Sequence, residues 1–172
     1  MSLRVKLVYL ADFRILFGNE DPSVQTPVAL MYLRDHALGR KDIAGAAEIS
    51  LHTFTSKARI PEMIADIDPG NTDVVGISCY FWNVERSQRL AKKIKKINPD
   101  ALIVMGGPES EETTAIMRQN PFIDACVRGE GEEVFAELLG ARIRGGAPPE
   151  IKGLTVRRAD GSVVDFGGRG VF

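Results

Sequence analysis

Apolar runs that stop abruptly in small or polar residues, each followed by a helix-forming stretch, constrain this fold more than any other feature. The runs are RVKLVYL (4–10), AAEISLHTF (46–54), DVVGISCY (73–80), ALIVMGG (101–107) and the start of DACVRGEGEEVFAELLGARI (124–143). Strands that read as continuous apolar runs are buried on both faces, the habit of parallel sheets covered by helices on each side. The intervening segments predict helices from Thr26-Pro27, over 60–67, 84–98 and 108–120, and at the end of 124–143. Thr26 can cap the first of these, with Pro27 at its first position. Leu30, Leu33 and Ala37 share its inner face. In the third, Leu90, Ala91, Ile94 and Ile97 form one stripe, with Lys92, Lys93, Lys95 and Lys96 on the solvated side.

The ending breaks the pattern. GLTVRRADGSVVDFG (153–167) is two alternating runs about Asp160-Gly161, a pair suited to a type I′ hairpin turn. The expected fold is α/β: a Rossmann-like or flavodoxin-like three-layer sandwich, with a five-stranded parallel sheet plus a C-terminal β-hairpin. Residues 1–148 form the Rossmann-like domain, and 149–172 the hairpin and a linker.

Composition removes several function classes. A net charge of −1 over 172 residues gives no general electrostatic grip on nucleic acid or an anionic membrane. No run of apolar residues is long enough to span a bilayer. The N-terminus lacks a signal-peptide pattern, so the expected location is the cytoplasm, and any self-association is expected to be weak. Cys79 and Cys126 have no metal-binding spacing and read as buried, reduced thiols.

Ligands of open parallel sheets bind beyond the carboxyl ends of the strands, so the strand tips matter. Ser78 puts a short hydroxyl at the third tip, followed by Tyr80, Phe81 and Trp82. The core has no need of both Phe81 and Trp82; the surplus ring could wall a ligand, a flavin or a partner domain. Gly106 and Gly107 end the fourth strand and Pro108 sets the helix start. A tight turn and a slot for a flat ligand both satisfy that pair. Gly129, Glu130 and Gly131 follow the fifth strand; Glu130, Glu132 and Glu133 repel a pyrophosphate but suit a helix N-terminus. There is no P-loop, no GxGxxG, no receiver-type acidic cluster and no GxSxG elbow. His36 and His52 show no catalytic partner pattern.

The blocks DVVGISCYFWNVERSQRLAKKIKKINPDALIVMGGPES and DACVRGEGEEVFAELL, with the trailing IKGLTVRRADGSVV, resemble the cobalamin-binding domain that precedes many radical S-adenosylmethionine enzymes. The resemblance implies that cobalamin is the cofactor and that its nucleotide tail threads beside the sheet. Ser78 would meet the buried benzimidazole, Gly106 and Gly107 would let the tail pass, and Gly129, Glu130 and Gly131 would help wall it. It implies a radical domain in the same parent chain, carrying the S-adenosylmethionine and 4Fe-4S cluster, whose CxxxCxxC triad is absent here. Better-known members carry DxHxxG after the first strand. Here Asp12 is followed by Arg14 and no histidine, so the expectation is base-off binding without an imidazole ligand. Leu16, Phe17 and Tyr80 are the candidates by location for covering the lower face of cobalt. On this reading the parent is a methyltransferase or cyclase and the chain alone is not catalytic. The open alternatives are the same fold serving as a docking module without cobalamin, and a flavodoxin-like flavin or nucleotide binder.

Overall fold

The computed structural model describes residues 2–11, 27–110 and 113–168. Asp12, Leu16, Phe17, Arg14 and the Thr26 cap lie outside them. The described chain alternates β1 (Leu3–Leu10), α1 (Val28–Gly39), β2 (Ala47–Phe54), α2 (Ile60–Ile67), β3 (Val74–Ser78), α3 (Val84–Ile97), β4 (Leu102–Gly106), α4 (Thr113–Gln119), β5 (Ala125–Val127) and α5 (Glu132–Ile143), then β6 (Leu154–Arg157) and β7 (Val163–Asp165). The strand order is β2-β1-β3-β4-β5-β6-β7. The first five strands pair in parallel, and β6 and β7 extend the sheet antiparallel from β5. The expected α/β sandwich of flavodoxin-like order is therefore what the chain adopts, with its topological switch between β1 and β3.

Strand pleating divides the core into two layers. Val5 and Leu7 of β1 pack with Val74, Val104 and Ala125 against α1 and α5. Val8, Val75, Ile77, Ile103 and Met105 face the other way, against Met63 of α2, Leu90 and Ile94 of α3 and Met117 of α4. Cys79 and Cys126 are free and buried in this second layer. Burial pushes both thiols up, Cys126 to about 12, so they stay protonated near neutrality.

Several expectations are corrected. Helix α1 begins at Val28, so Pro27 stands one residue outside it, its carbonyl accepting from the Met31 N–H at 3.0 Å. The expected helix over 108–120 does not start as an α-helix: Pro108–Ser110 is a 3-10 turn, and the described part of α4 is Thr113–Gln119, with the Thr113 hydroxyl tied to Thr155 at 2.6 Å. Ile97 is 45% exposed and does not join the buried stripe of α3. Lys95 leaves the solvated face: its ammonium donates to the Ala101 carbonyl at 2.9 Å and to Asp124 at 2.8 Å, pinning α3 to the starts of β4 and β5.

The hairpin turn is not type I′. Arg157 pairs with Val163, and the Arg158 N–H donates to the Ser162 carbonyl at 2.9 Å, while Gly161 donates to Arg158 at 2.9 Å. Only Gly161 has positive φ (84°); Asp160 does not. This is the longer hairpin connection with one left-handed glycine, in which Asp160 instead accepts from the Ser162 N–H at 2.9 Å.

Candidate functional site

A cavity of about 230 Å³ opens between the sheet and helices α1 and α5. Its floor follows from register. Tyr9 is opposite Ser78, Ser78 opposite Gly106, and Gly106 opposite Val127. One layer lower, Leu7 is opposite Gly76 and Gly76 opposite Val104. All these side chains share one face because their spacing within each strand is two. At Ser78 and Gly106 there is almost no side chain, and at Gly76 the missing side chain lets Leu7 and Phe135 close in beneath, so Leu7, Val104 and Val127 surround a trench. Leu33 of α1 and Phe135 of α5 form its roof, and Gly129, Glu130 and Gly131 close its β5 end.

The three glycines near this floor are glycines for different reasons. A Cβ at Gly106 would meet Val127 at 3.6 Å, an ordinary contact, so the space above it is open. A Cβ at Gly107 would lie 2.5 Å from the Cys79 carbonyl oxygen, and Gly107 has φ +112°; the fold itself demands glycine there. A Cβ at Gly76 would strike Leu7 Cδ2 at 2.7 Å and approach the Phe135 ring at 3.6 Å. Gly129, with φ +73°, has nothing within 4 Å of that position and serves the turn.

The switch point is braced by Asn83. Its Nδ2 donates to the carbonyls of Leu10 at 3.0 Å and Ser78 at 3.2 Å, and its Oδ1 accepts from the Tyr80 N–H at 2.9 Å. One buried amide thus ties the tips of β1 and β3 to the start of α3. At the mouth, Tyr80 stacks on Trp82 with centroids 4.5 Å apart and planes 8° from parallel, and meets Tyr9 edge-on at 6.1 Å.

The structure brings Ser78, Tyr80, Gly106, Gly107, Pro108, Gly129, Glu130 and Gly131 to one cavity wall. Phe81 does not line it; the ring is 58% exposed on the rim, edge-on to Trp82. Asp12, Leu16 and Phe17 lie outside the described residues. Sequence reasoning missed Gly76, Leu33, Phe135 and the brace Asn83. A glycine inside an apolar strand run, as in VVGIS, is the available signal for the first. Neither histidine lines the cavity: His36 bonds Glu133 at 2.8 Å and His52 bonds Asp66 at 2.5 Å.

The comparisons agree with this geometry. Residues 26–139 match the family model described as the B12 binding domain. The chain is 34% identical over 149 residues to the cobalamin-dependent radical SAM methyltransferase TokK of Streptomyces tokunonensis, covering 85% of this chain and 21% of that protein. It is 38% identical over 132 residues to the uncharacterized methyltransferase PH0819 of Pyrococcus horikoshii, covering 74% and 26%. The fold superposes with TM-score 0.71 on the radical enzyme OxsB with aqua-cobalamin and S-adenosylmethionine bound, at 17% identity over 99% of this chain and 23% of that one. The TM-score is 0.69 for the methyltransferase TsrM of Kitasatospora setae with cobalamin and a [4Fe-4S] cluster, at 21% identity over 100% and 30%. The chain therefore spans about a fifth to a third of these relatives. With its switch-point trench and a match that covers well over half of its length, the chain belongs to the B12-binding domain family.

Proposed function

We propose that this chain is the cobalamin-binding module of a radical SAM methyltransferase or cyclase, and that it holds cobalamin base-off without a histidine ligand. The trench carries the reading: Ser78 and Gly106, with Gly76 beneath them, border a narrow, mostly apolar slot at the β1/β3 switch, where this topology binds ligands. Its volume, about 230 Å³, is below the ~300–1,000 Å³ of pockets that enclose a whole drug-sized ligand. It suits one arm of a large cofactor, with the rest left at the rim. Cobalamin, when bound, supplies methyl transfer or radical support at its cobalt.

The chain's own residues position and exclude. Ser78 offers its hydroxyl at the bottom of the trench, 7% exposed. Gly106 leaves room; Gly107 and Pro108 present backbone and ring at the β4 tip. Gly129, Glu130 and Gly131 wall the β5 end, where Glu130 can accept hydrogen bonds from ribose or amide groups. The Tyr80–Trp82 stack gives the mouth an apolar platform that would shield a bound corrin from water, and a histidine-free mode is supported by both histidines being absent from the cavity lining and engaged by carboxylates. Asp12, Leu16 and Phe17 remain assigned to the same rim by sequence position. Phe81 extends the platform outward, a surface suited to a radical SAM domain. The described chain leaves β7 at this rim as well, since the Gly153 N–H, beside the β5 tip, donates to the Gly167 carbonyl at 2.6 Å.

The test is to mix the protein with hydroxocobalamin, desalt, and record the visible spectrum. Retained corrin bands with a base-off profile are expected. Trp82, the lone tryptophan, gives a second readout, because a bound corrin quenches its emission. Gly106→Leu starts a side chain into the trench at ordinary contact distance, 3.6 Å, from Val127 and should abolish both signals while the protein stays folded. Colourless, folded wild-type protein would sink the reading in favour of a docking module; yellow fluorescent protein as purified would favour a flavin.

A further inference from the structure

On the opposite face of the sheet, at its β2 edge, three side chains form a second constellation. Ser50 Oγ lies 2.9 Å from His52 Nε2, and His52 Nδ1 lies 2.5 Å from Asp66 Oδ2. Ser50 and His52 are two apart on β2 and share a face; Asp66 comes from α2. A carboxylate only accepts, so the Nδ1 hydrogen points at Asp66. In the neutral ring Nε2 is then the acceptor for the Ser50 hydroxyl. The atoms connected, and their order, are those of an activated serine: nucleophile, base, and a third group orienting the base. The imidazole is held firmly, with 11% of its side chain exposed, while Asp66 is 57% exposed.

Two further features meet there. β2 is an edge strand. The Leu3 N–H bonds the Ala46 carbonyl and the Ala11 N–H bonds the Phe54 carbonyl. Even-numbered residues of β2 therefore turn their backbone groups toward β1, and odd-numbered ones turn them to the outer edge, which no other described strand covers. The Leu51 N–H, immediately after Ser50, is left on that edge, where it can donate to an oxyanion. Lys6 is directly opposite Ser50 across the β1–β2 pair, placing a cation beside the same spot.

We propose that Ser50, His52 and Asp66 form a second chemical site, separate from the trench, that takes acyl groups from small activated esters or thioesters. Ser50 Oγ attacks the carbonyl carbon, and its proton passes to His52 Nε2. The bond to the leaving oxygen or sulfur then breaks, and the leaving group takes that proton. Water, deprotonated by the same nitrogen, cleaves the acyl-serine, returning the proton to Ser50 and releasing the acid. Asp66 orients the ring throughout.

The experiment is labelling of the full chain with a fluorophosphonate, mapped by peptide mass spectrometry. Selective modification of Ser50 is expected, with the exposed Ser162, which has no histidine partner, unmodified within the same molecules. His52→Gln should slow labelling by about 10²-fold, the scale of general-base assistance. Asp66→Asn should slow it less, and Ser50→Ala should remove it. Equal trace labelling of Ser50 and Ser162 in unaltered protein, or an unchanged rate in folded His52→Gln protein, would overturn the proposal and leave the three residues as a strap between α2 and β2. Cobalamin retention does not enter this readout, so the two proposals fail independently.

Discussion

At the residue scale, Gly106 and Gly107 separate function from folding within one dipeptide. Gly107→Ala drives a methyl into the Cys79 carbonyl at a positive-φ position, so it should cost about 1–3 kcal/mol in urea unfolding. At Gly106 a Cβ meets only ordinary contacts, so Gly106→Ala should leave that midpoint nearly unchanged. If the two variants destabilise equally, the division is wrong. The thiols make a second residue-scale test. Cys79 and Cys126 are buried with raised pKa, so the thiolate is scarce at pH 8 and a disulfide reagent should react with neither until denaturant is added. Fast reaction in native protein would contradict the packing. The pair Gly106-Gly107 was visible in the sequence; that one glycine borders empty space and the other a carbonyl was not, because Cβ directions depend on which strand tip lies alongside.

At the scale of elements, joints rather than strands carry the vulnerable contacts. Asn83→Ala removes an amide serving three backbone groups at the switch point, two of them in buried bonds, and should cost about 2–3 kcal/mol by the same unfolding assay. Asn83→Asp keeps the acceptor for Tyr80 and loses the donor, so it should fall no higher than wild type in stability. The Arg4–Asp73 pair joins β1 to the start of β3, with the Arg4 backbone N–H also donating to Asp73 at 2.7 Å. Hydrogen bonding to Arg4 holds the Asp73 carboxyl below its ordinary 3.8. A depressed folded-state pKa contributes stability that is complete above 3.8 and is lost as pH falls through the lower folded value. Asp73→Asn should therefore be less stable than wild type at pH 7, with the gap narrowing below pH 4; a constant gap would refute the linkage. The helix periods of α2, α3 and α5 were legible to within a residue or two. The 3-10 turn at Pro108–Ser110 was not, nor was the anchoring of α4, because the Thr113–Thr155 and Thr113–Arg128 bonds join segments far apart in sequence.

For the whole molecule, the hairpin is part of the core and not an appendage. Leu154 and Val156 are buried, β6 covers the free edge of β5, and Arg128 clasps Thr113 at 2.9 Å and Asp165 at 2.7 Å. Ending the chain at Lys152 should therefore expose a hydrophobic sheet edge and send the protein to large species in size-exclusion chromatography. A stable, monodisperse shortened chain would show that five strands suffice. The sequence by itself determined the class of the fold, the count of parallel strands, and the small residues at the third, fourth and fifth tips. Each of these rests on local chemistry: apolar runs, helical period, and the missing side chain of glycine. Only the tertiary structure decided that Gly76, Ser78 and Gly106 line up into one trench, and that Ser50, His52 and Asp66 meet across β2 and α2. Register between strands and the seating of helices arise from packing between distant segments, and no local pattern encodes which residues end up opposite one another.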